Sequence, residues 1–118
     1  MKSVELKTSL LLYAVTDRAW LGKNFCCETL SDAVFQAIEG GATLIQLREK
    51  ELSEKEFLDE AFSIKEICAS KKIPLIINDN VKIAKETDVC GVHIGQSDME
   101  LKEARKILGA DKIIGVSC

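Results

Sequence analysis

Thr43-Leu44-Ile45-Gln46-Leu47 runs through Arg48-Glu49-Lys50 to Ser53-Glu54-Lys55-Glu56, and this passage decides the fold. Its first five residues are a short apolar run broken by one glutamine, the pattern of a strand covered on both faces. Ser53 followed three residues later by Glu56 is a capping box, in which two side chains satisfy orphan N–H groups at a helix start. Phe57, Ala61, Ile64 and Cys68 then recur at helical spacing as one apolar stripe. Lys71-Lys72 follows where the helix dipole is negative. Strand, polar turn and amphipathic helix make one β–α unit.

The same unit repeats on either side. Upstream, Leu10 to Val15 reads as a strand ended by Thr16-Asp17-Arg18. Thr29 to Glu39 reads as a helix with Leu30, Val34, Ala37 and Ile38 inward and Gly40 as a left-handed cap. Downstream, Pro74 opens the strand Leu75-Ile76-Ile77, which breaks at Asn78-Asp79-Asn80, and a short helix covers Val81 to Glu86. Val89 to Ile94 is a fourth strand. Ser97-Asp98-Met99-Glu100 is a second capping box, for a helix lined by Leu101, Ala104, Ile107 and Leu108 and capped by Gly109. Ile113-Ile114-Gly115-Val116 is a fifth strand. Apolar strands alternating with amphipathic helices predict an α/β fold with a parallel sheet covered by helices. A closed (β/α)8 barrel takes roughly 200 residues or more. The 118 residues here are about half of that, while an open α/β sheet would normally carry a fifth helix over its last strand, so periodicity and length leave the choice between them open.

Composition narrows the function classes. Hydrophobic residues at 47% and charged residues at 30%, with Pro 1 and Gly 7, exclude a disordered or collagen-like chain. The longest apolar stretch, Leu10 to Val15, is too short to cross a bilayer. Met1 to Lys7 carries an acid and no cleavage site, so no secretory signal is expected. A formal charge of −3 argues against nucleic acid and for a small ligand; if that ligand is anionic, placed cations or a metal must hold it. Five cysteines without a C-x-x-C pair, and one histidine, do not fit the usual zinc patterns. Reduced thiols in a cytoplasmic protein are expected, with Cys68 and Cys90 filling core. Trp20 and Cys26-Cys27 carry no functional reading.

In parallel α/β folds ligands sit at the C-terminal ends of strands, and here those ends are polar. Strand alternation puts Gln46, Arg48 and Lys50 on one face. An amide, a guanidinium and an ammonium side by side suit a polar ring with a phosphate or pyrophosphate; the competing reading is a solvated turn. Asp79 and Asp98, at neighbouring strand ends, suit a hard divalent ion such as Mg2+, although Asp98 equally suits the first turn of its helix. Asn78 is an amide for a base edge or an ordinary turn residue. Ser117 lacks a nucleophile-activating motif and reads as a hydrogen-bond partner of phosphate. His93 reads as a hydrogen-bonded wall residue rather than a metal ligand.

Taken in order, Leu12-Tyr13-Ala14-Val15-Thr16-Asp17, Gly40-Gly41-Ala42 to Gln46-Leu47-Arg48-Glu49-Lys50, Ile77-Asn78-Asp79, Gly91-Val92-His93-Ile94-Gly95-Gln96-Ser97-Asp98 and Ile114-Gly115-Val116-Ser117 resemble the thiamine-phosphate synthase family over nearly the whole chain. The resemblance implies a (β/α)8 barrel that joins a hydroxymethylpyrimidine diphosphate to a thiazole phosphate, releasing pyrophosphate; this chain would then be a single domain over 1–118, an α/β fold of parallel (β/α) units forming a partial TIM barrel, about five strands and four helices of the eight-fold barrel. By the same resemblance Gln46, Leu47, Arg48, Glu49 and Lys50 line the pyrimidine-diphosphate site, with Arg48 and Lys50 on the pyrophosphate. Asn78 contacts the pyrimidine, Ser117 binds the diphosphate, and Asp79 and Asp98 hold Mg2+. Arg48, Lys50 and Ser117 are then the catalytic set, because departure of pyrophosphate needs charge neutralisation and no side-chain nucleophile. Partners would be small-molecule substrates, without nucleic acid or membrane.

The chain departs from the family in lacking the later glycine-rich phosphate-binding turns, a further lysine and most of the thiazole-phosphate site. The expectation is a truncated form of a synthase, or a half-barrel completed as a homo-oligomer or by a complementing chain. The nearest alternative is a thiazole tautomerase-like paralogue, against which Gly95-Gln96-Ser97-Asp98 argues by keeping the second carboxylate. A signalling receiver would need an acidic pair after strand one and a lysine after strand five, where Asp17 and Ser117 stand. A non-catalytic ligand-binding remnant is the third alternative.

Overall fold

Each strand of the computed structural model stops where its sequence turns polar. The structure describes residues 3–21, 27–96 and 98–117, with backbone alone at 3–5, 20, 98 and 99. Helix α1 (Ser3–Ser9) precedes β1 (Tyr13–Val15) and a 3-10 turn at Arg18–Trp20. There follow α2 (Leu30–Glu39), β2 (Leu44–Leu47), α3 (Glu54–Ser70), β3 (Leu75–Asn78), α4 (Val81–Thr87), β4 (Gly91–Ile94), α5 (Asp98–Leu108) and β5 (Ile113–Val116). Side-chain caps start three of the helices. Thr29 accepts from the Asp32 N–H and Asn80 from the Ile83 N–H, while Ser53 and Glu56 form the reciprocal capping box.

The sheet order is β1-β2-β3-β4-β5, every pair parallel. A doubly wound sheet reverses its strand order at a switch point. Sequential order with right-handed crossovers instead puts all intervening helices on one face, the winding of a barrel. On that face Ala14, Ile45, Leu47, Leu75, Ile77 and Val92 pack against the inner stripes of the helices in one core. The predicted stripe of α3 is buried throughout: Phe57, Ala61, Ile64 and Cys68.

The opposite face carries Tyr13, Leu44 and Gln46, then Ile76, Asn78, Gly91 and His93, in the parity that the register dictates. It curls inward. In a flat sheet β1 and β4 stand about 14 Å apart, yet the Tyr13 hydroxyl lies 3.4 Å from His93 Nδ1. Gly91 serves this curl, since a Cβ there would overlap the Ile113 carbonyl of β5.

Four expectations need correction. Leu10, Leu11 and Leu12 form an exposed turn rather than strand, because the Thr43 hydroxyl and the Thr43 and Leu44 N–H groups engage the Ser9 and Leu12 carbonyls and start the ladder only at Tyr13. The left-handed residue after α2 is Gly41, at φ 113°, not Gly40, at φ −79°. Val89 and Cys90 precede β4, which begins at Gly91. In α5, Ala104 and Leu108 are buried, but Leu101 and Ile107 are 38% and 44% exposed. The apolar arc of α5 is wider than the sheet and α4 can cover. The Ser97 cap lies outside the described residues. One element, α1, was not anticipated.

Candidate active site

Lys50 fixes the geometry of the site because it can only donate. Its Nζ lies 2.9 Å from Asn78 Oδ1 and 2.7 Å from Asp79 Oδ2. Asn78 must therefore present its oxygen to Lys50 and its amide hydrogens elsewhere. Its Nδ2 donates to Gln46 Oε1 at 2.8 Å, and Gln46 Nε2 donates in turn to the Tyr13 hydroxyl at 2.7 Å. Tyr13 meets His93 Nδ1, and His93 Nε2 lies 2.8 Å from Ser117 Oγ. One belt of hydrogen bonds thus crosses from the turn after β2 to the end of β5, drawing on all five strands. Gln46, only 4% exposed, is its buried centre, and among the described residues no buried side-chain polar atom lacks a partner. Burial pushes the Tyr13 phenol above its ordinary pKa, opposed by the hydrogen that Gln46 donates.

Asp79 follows β3 in the left-handed region, at φ 63°. This conformation is uncommon outside glycine, asparagine and aspartate. Its N–H donates to the His93 carbonyl at 2.8 Å, which holds the strained turn against β4 with the carboxylate at Lys50. Asp98 opens α5, in the connection that follows β4; its side chain lies outside the described residues. Among those residues no group of three or more His, Cys, Asp or Glu side chains converges on a metal position.

The five residues from Gln46 to Lys50 divide sharply. Gln46 and Lys50 join the belt. Leu47 is fully buried in the apolar core, so it offers a ligand only its backbone. The Glu49 carboxylate faces away from the belt and binds Arg18 Nε at 2.8 Å. Burial lowers the Arg18 pKa, and the hydrogen bonds and charges of Glu49 and Glu60 more than offset that, leaving it raised. Arg48 is exposed, and among the described residues its guanidinium has no hydrogen bond or ion pair. Its N–H donates to Thr16 Oγ1 at 2.9 Å, and the Thr16 N–H to the Gln46 carbonyl at 3.0 Å. These bonds bring Arg48 to a cleft shared with Asp17, Arg18 and Lys50.

The structure therefore brings Gln46, Lys50, Asn78 and Asp79 into contact, links Ser117 to them through two residues, and leaves Arg48 on the rim, its guanidinium engaged by none of the described residues. His93 is hydrogen-bonded as expected. Tyr13 and Thr16 were missed as parts of the site, and Glu49, expected to line the pyrimidine-diphosphate site, instead pairs its carboxylate with Arg18. Inward strand parity at Tyr13, the chain's one tyrosine, was the available signal.

Sequential parallel strands with a polar belt at their C-terminal edge define a protein of the (β/α)-barrel class, with the candidate site in the position usual for that class. Residues 12–118 match the family model described as thiamine monophosphate synthase. The chain is 51% identical to a thiamine-phosphate synthase of Clostridium acetobutylicum over 99% of its own length and 52% of that protein's. It is 53% identical to a chloroplastic thiamine biosynthetic bifunctional enzyme of Arabidopsis thaliana over 92% of this chain and 20% of that one. A thiamine phosphate pyrophosphorylase structure from Pyrococcus furiosus superposes with a TM-score of 0.83 at 30% identity, covering 96% of this chain and 52% of that one. The chain belongs to the thiamine monophosphate synthase family. It spans about half the length of the bacterial synthases it matches. Among the described residues no helix is long and apolar enough to cross a membrane.

Proposed function

We propose that this chain carries the pyrimidine-diphosphate half of a thiamine-phosphate synthase site. Residues 1–118 form one domain that corresponds to the first five strands of the barrel. With the remaining strands it joins a hydroxymethylpyrimidine diphosphate to a thiazole phosphate in the cytoplasm. The observation that carries this reading is the Lys50–Asn78–Gln46 chain of hydrogen bonds beside Arg48, whose guanidinium is unengaged among the described residues.

Each amide in that chain uses one of its two hydrogens and one of its two lone-pair sites within the belt. Both keep a donor and an acceptor for the edge of an aminopyrimidine. Arg48 and Lys50 supply fixed positive charge for the diphosphate, and Ser117 a hydroxyl. As pyrophosphate leaves the methylene carbon, positive charge builds on the ring and negative charge on the departing group. Arg48 and Lys50 neutralise the latter, and the thiazole nitrogen attacks the carbon. No protein nucleophile is needed. The Asp79 carboxylate, 57% exposed at the strand edge, is a hard oxygen donor that fits Mg2+, which takes one or two carboxylates together with phosphate oxygens. Asp79 and Asp98 would hold the ion, which supplies further charge neutralisation at the diphosphate.

Calorimetric titration with the pyrimidine diphosphate, with and without Mg2+, tests this. Binding that Mg2+ strengthens is expected, and no binding under either condition overturns the reading. The length of the chain, about half that of the matched synthases, favours a second reading in which the chain binds this ligand without turnover. Thiamine phosphate formation on adding the thiazole phosphate separates the two.

A further inference from the structure

Two members of the belt, Tyr13 and His93, have no ligand assigned to them in the reading above, yet among the described residues they alone connect Ser117 to the rest of the belt. Tyr13 accepts a hydrogen from Gln46, so its own proton is free to be donated. The nitrogen facing it is His93 Nδ1, at 3.4 Å. The imidazole is seated for this by the glycine opposite it in the register, Gly115. A Cβ at that position would stand 2.5 Å from Nδ1 and 3.2 Å from Cε1, too close for any side chain to share the space. Only over a bare strand can the ring lie across β5 and bring Nε2 to 2.8 Å from Ser117 Oγ.

The direction of the belt then decides what Ser117 offers. With Nδ1 accepting from Tyr13, the imidazole proton sits on Nε2 and is donated to Ser117 Oγ, and the serine proton points outward. With the proton on Nδ1 instead, the Tyr13 proton loses its acceptor in the belt. Ser117 would then donate inward and turn only lone pairs toward an anion. The raised phenol pKa keeps the Tyr13 proton in place at neutral pH.

We infer that Tyr13 and His93 are positioning residues that transmit the hydrogen-bond direction set by Lys50 to Ser117, leaving its hydroxyl as a donor to a phosphate oxygen. The identity of that oxygen's owner rests on the function proposed above; the direction of the belt does not.

The chain has one histidine and one tyrosine, so the test is free of overlap. Nitrogen-15 NMR of histidine-labelled protein, recorded above the ordinary imidazole titration range, reads the tautomer directly. A protonated Nε2 with a bare Nδ1 is expected; a protonated Nδ1 overturns the inference. Tyr13→Phe keeps the ring and removes the donor. It should shift His93 to a mixture of tautomers and weaken binding of inorganic pyrophosphate about five- to tenfold, the worth of one hydrogen bond. Gly115→Ala should displace the ring and weaken binding in the same direction. Unchanged tautomer and unchanged affinity in both variants overturn the inference. If the Nε2–H tautomer is present and lost in Tyr13→Phe while no pyrophosphate binds, the substrate reading fails and the belt's direction stands.

Discussion

Arg18 Nε lies 2.8 Å from both carboxylate oxygens of Glu49, whose side chain is 2% exposed, while that of Arg18 is 40% exposed. This lopsided pair locks the turn after β1 to the turn after β2, and Arg48 and Lys50 flank Glu49 in that second turn. Glu49→Gln keeps the shape and leaves the guanidinium with Glu60 as its one described carboxylate partner, at 3.3 Å. A loss of about 1–2 kcal/mol is expected, less than the 3–5 of a fully buried pair because water reaches Arg18. Denaturant melts measure it. A variant as stable as the parent would show that the turn is held by backbone alone.

Arg48 presents the opposite case. It is exposed, and its guanidinium is engaged by none of the described residues, so Arg48→Ala should leave stability within about 0.5 kcal/mol. Affinity for the pyrimidine diphosphate should fall roughly ten- to a hundredfold, the scale of a charged hydrogen bond. Paired thermal melts and calorimetry distinguish this from a folding defect.

Gly91 tests the curl of the sheet. Its neighbour across the ladder is the Ile113 backbone, which cannot rotate aside as a side chain could. Gly91→Ala should cost about 3 kcal/mol, the upper end of overpacking penalties, and speed amide exchange in β5 before the other strands.

Asp88 ends α4 in the left-handed region, 2.6 Å from Lys112 Nζ. The hydrogen bond and charge of Lys112 hold its carboxyl below the ordinary value of 3.8. A depressed carboxyl contributes stability that is present above the unfolded value and lost as pH falls through the folded one. Asp88→Asn tolerates the same backbone. It should therefore melt lower than the parent at neutral pH, with the gap closing as pH falls through and below the ordinary carboxyl value of 3.8. A constant gap across that fall would assign the effect to packing.

Apolar runs and capping residues made nearly the whole fold legible, because each β–α unit is a local affair of strand pattern, cap and stripe. The failures lie where tertiary partners override local signal. Leu10 to Leu12 are as apolar as any strand, yet Thr43 ends their neighbour's ladder before reaching them. Leu101 and Ile107 have helical spacing but no surface to meet. At the site, residue type and strand end singled out Lys50, Asn78, Asp79 and Ser117. Tyr13 escaped because its role depends on curvature, which no run of residues displays. The pairing of Glu49 with Arg18 escaped because charge alone does not tell a carboxylate turned to a ligand from one sealed against an arginine.

Tyr13 and His93 stand 80 positions apart along the chain, whereas Gln46 and Asn78 are 32 apart and neighbours in the sheet. Loop closure grows costlier with separation, so during folding the central pairings β2–β3 and β3–β4 can form on local terms while the contact across the curl must wait for β1, β4 and Gly115 to be in place. An intermediate holding only the middle strands would display the amides and Lys50 but leave Ser117 unaligned. The belt is thus completed by its most distant contact, and ligand affinity should appear in one step at the end of folding rather than accumulate strand by strand.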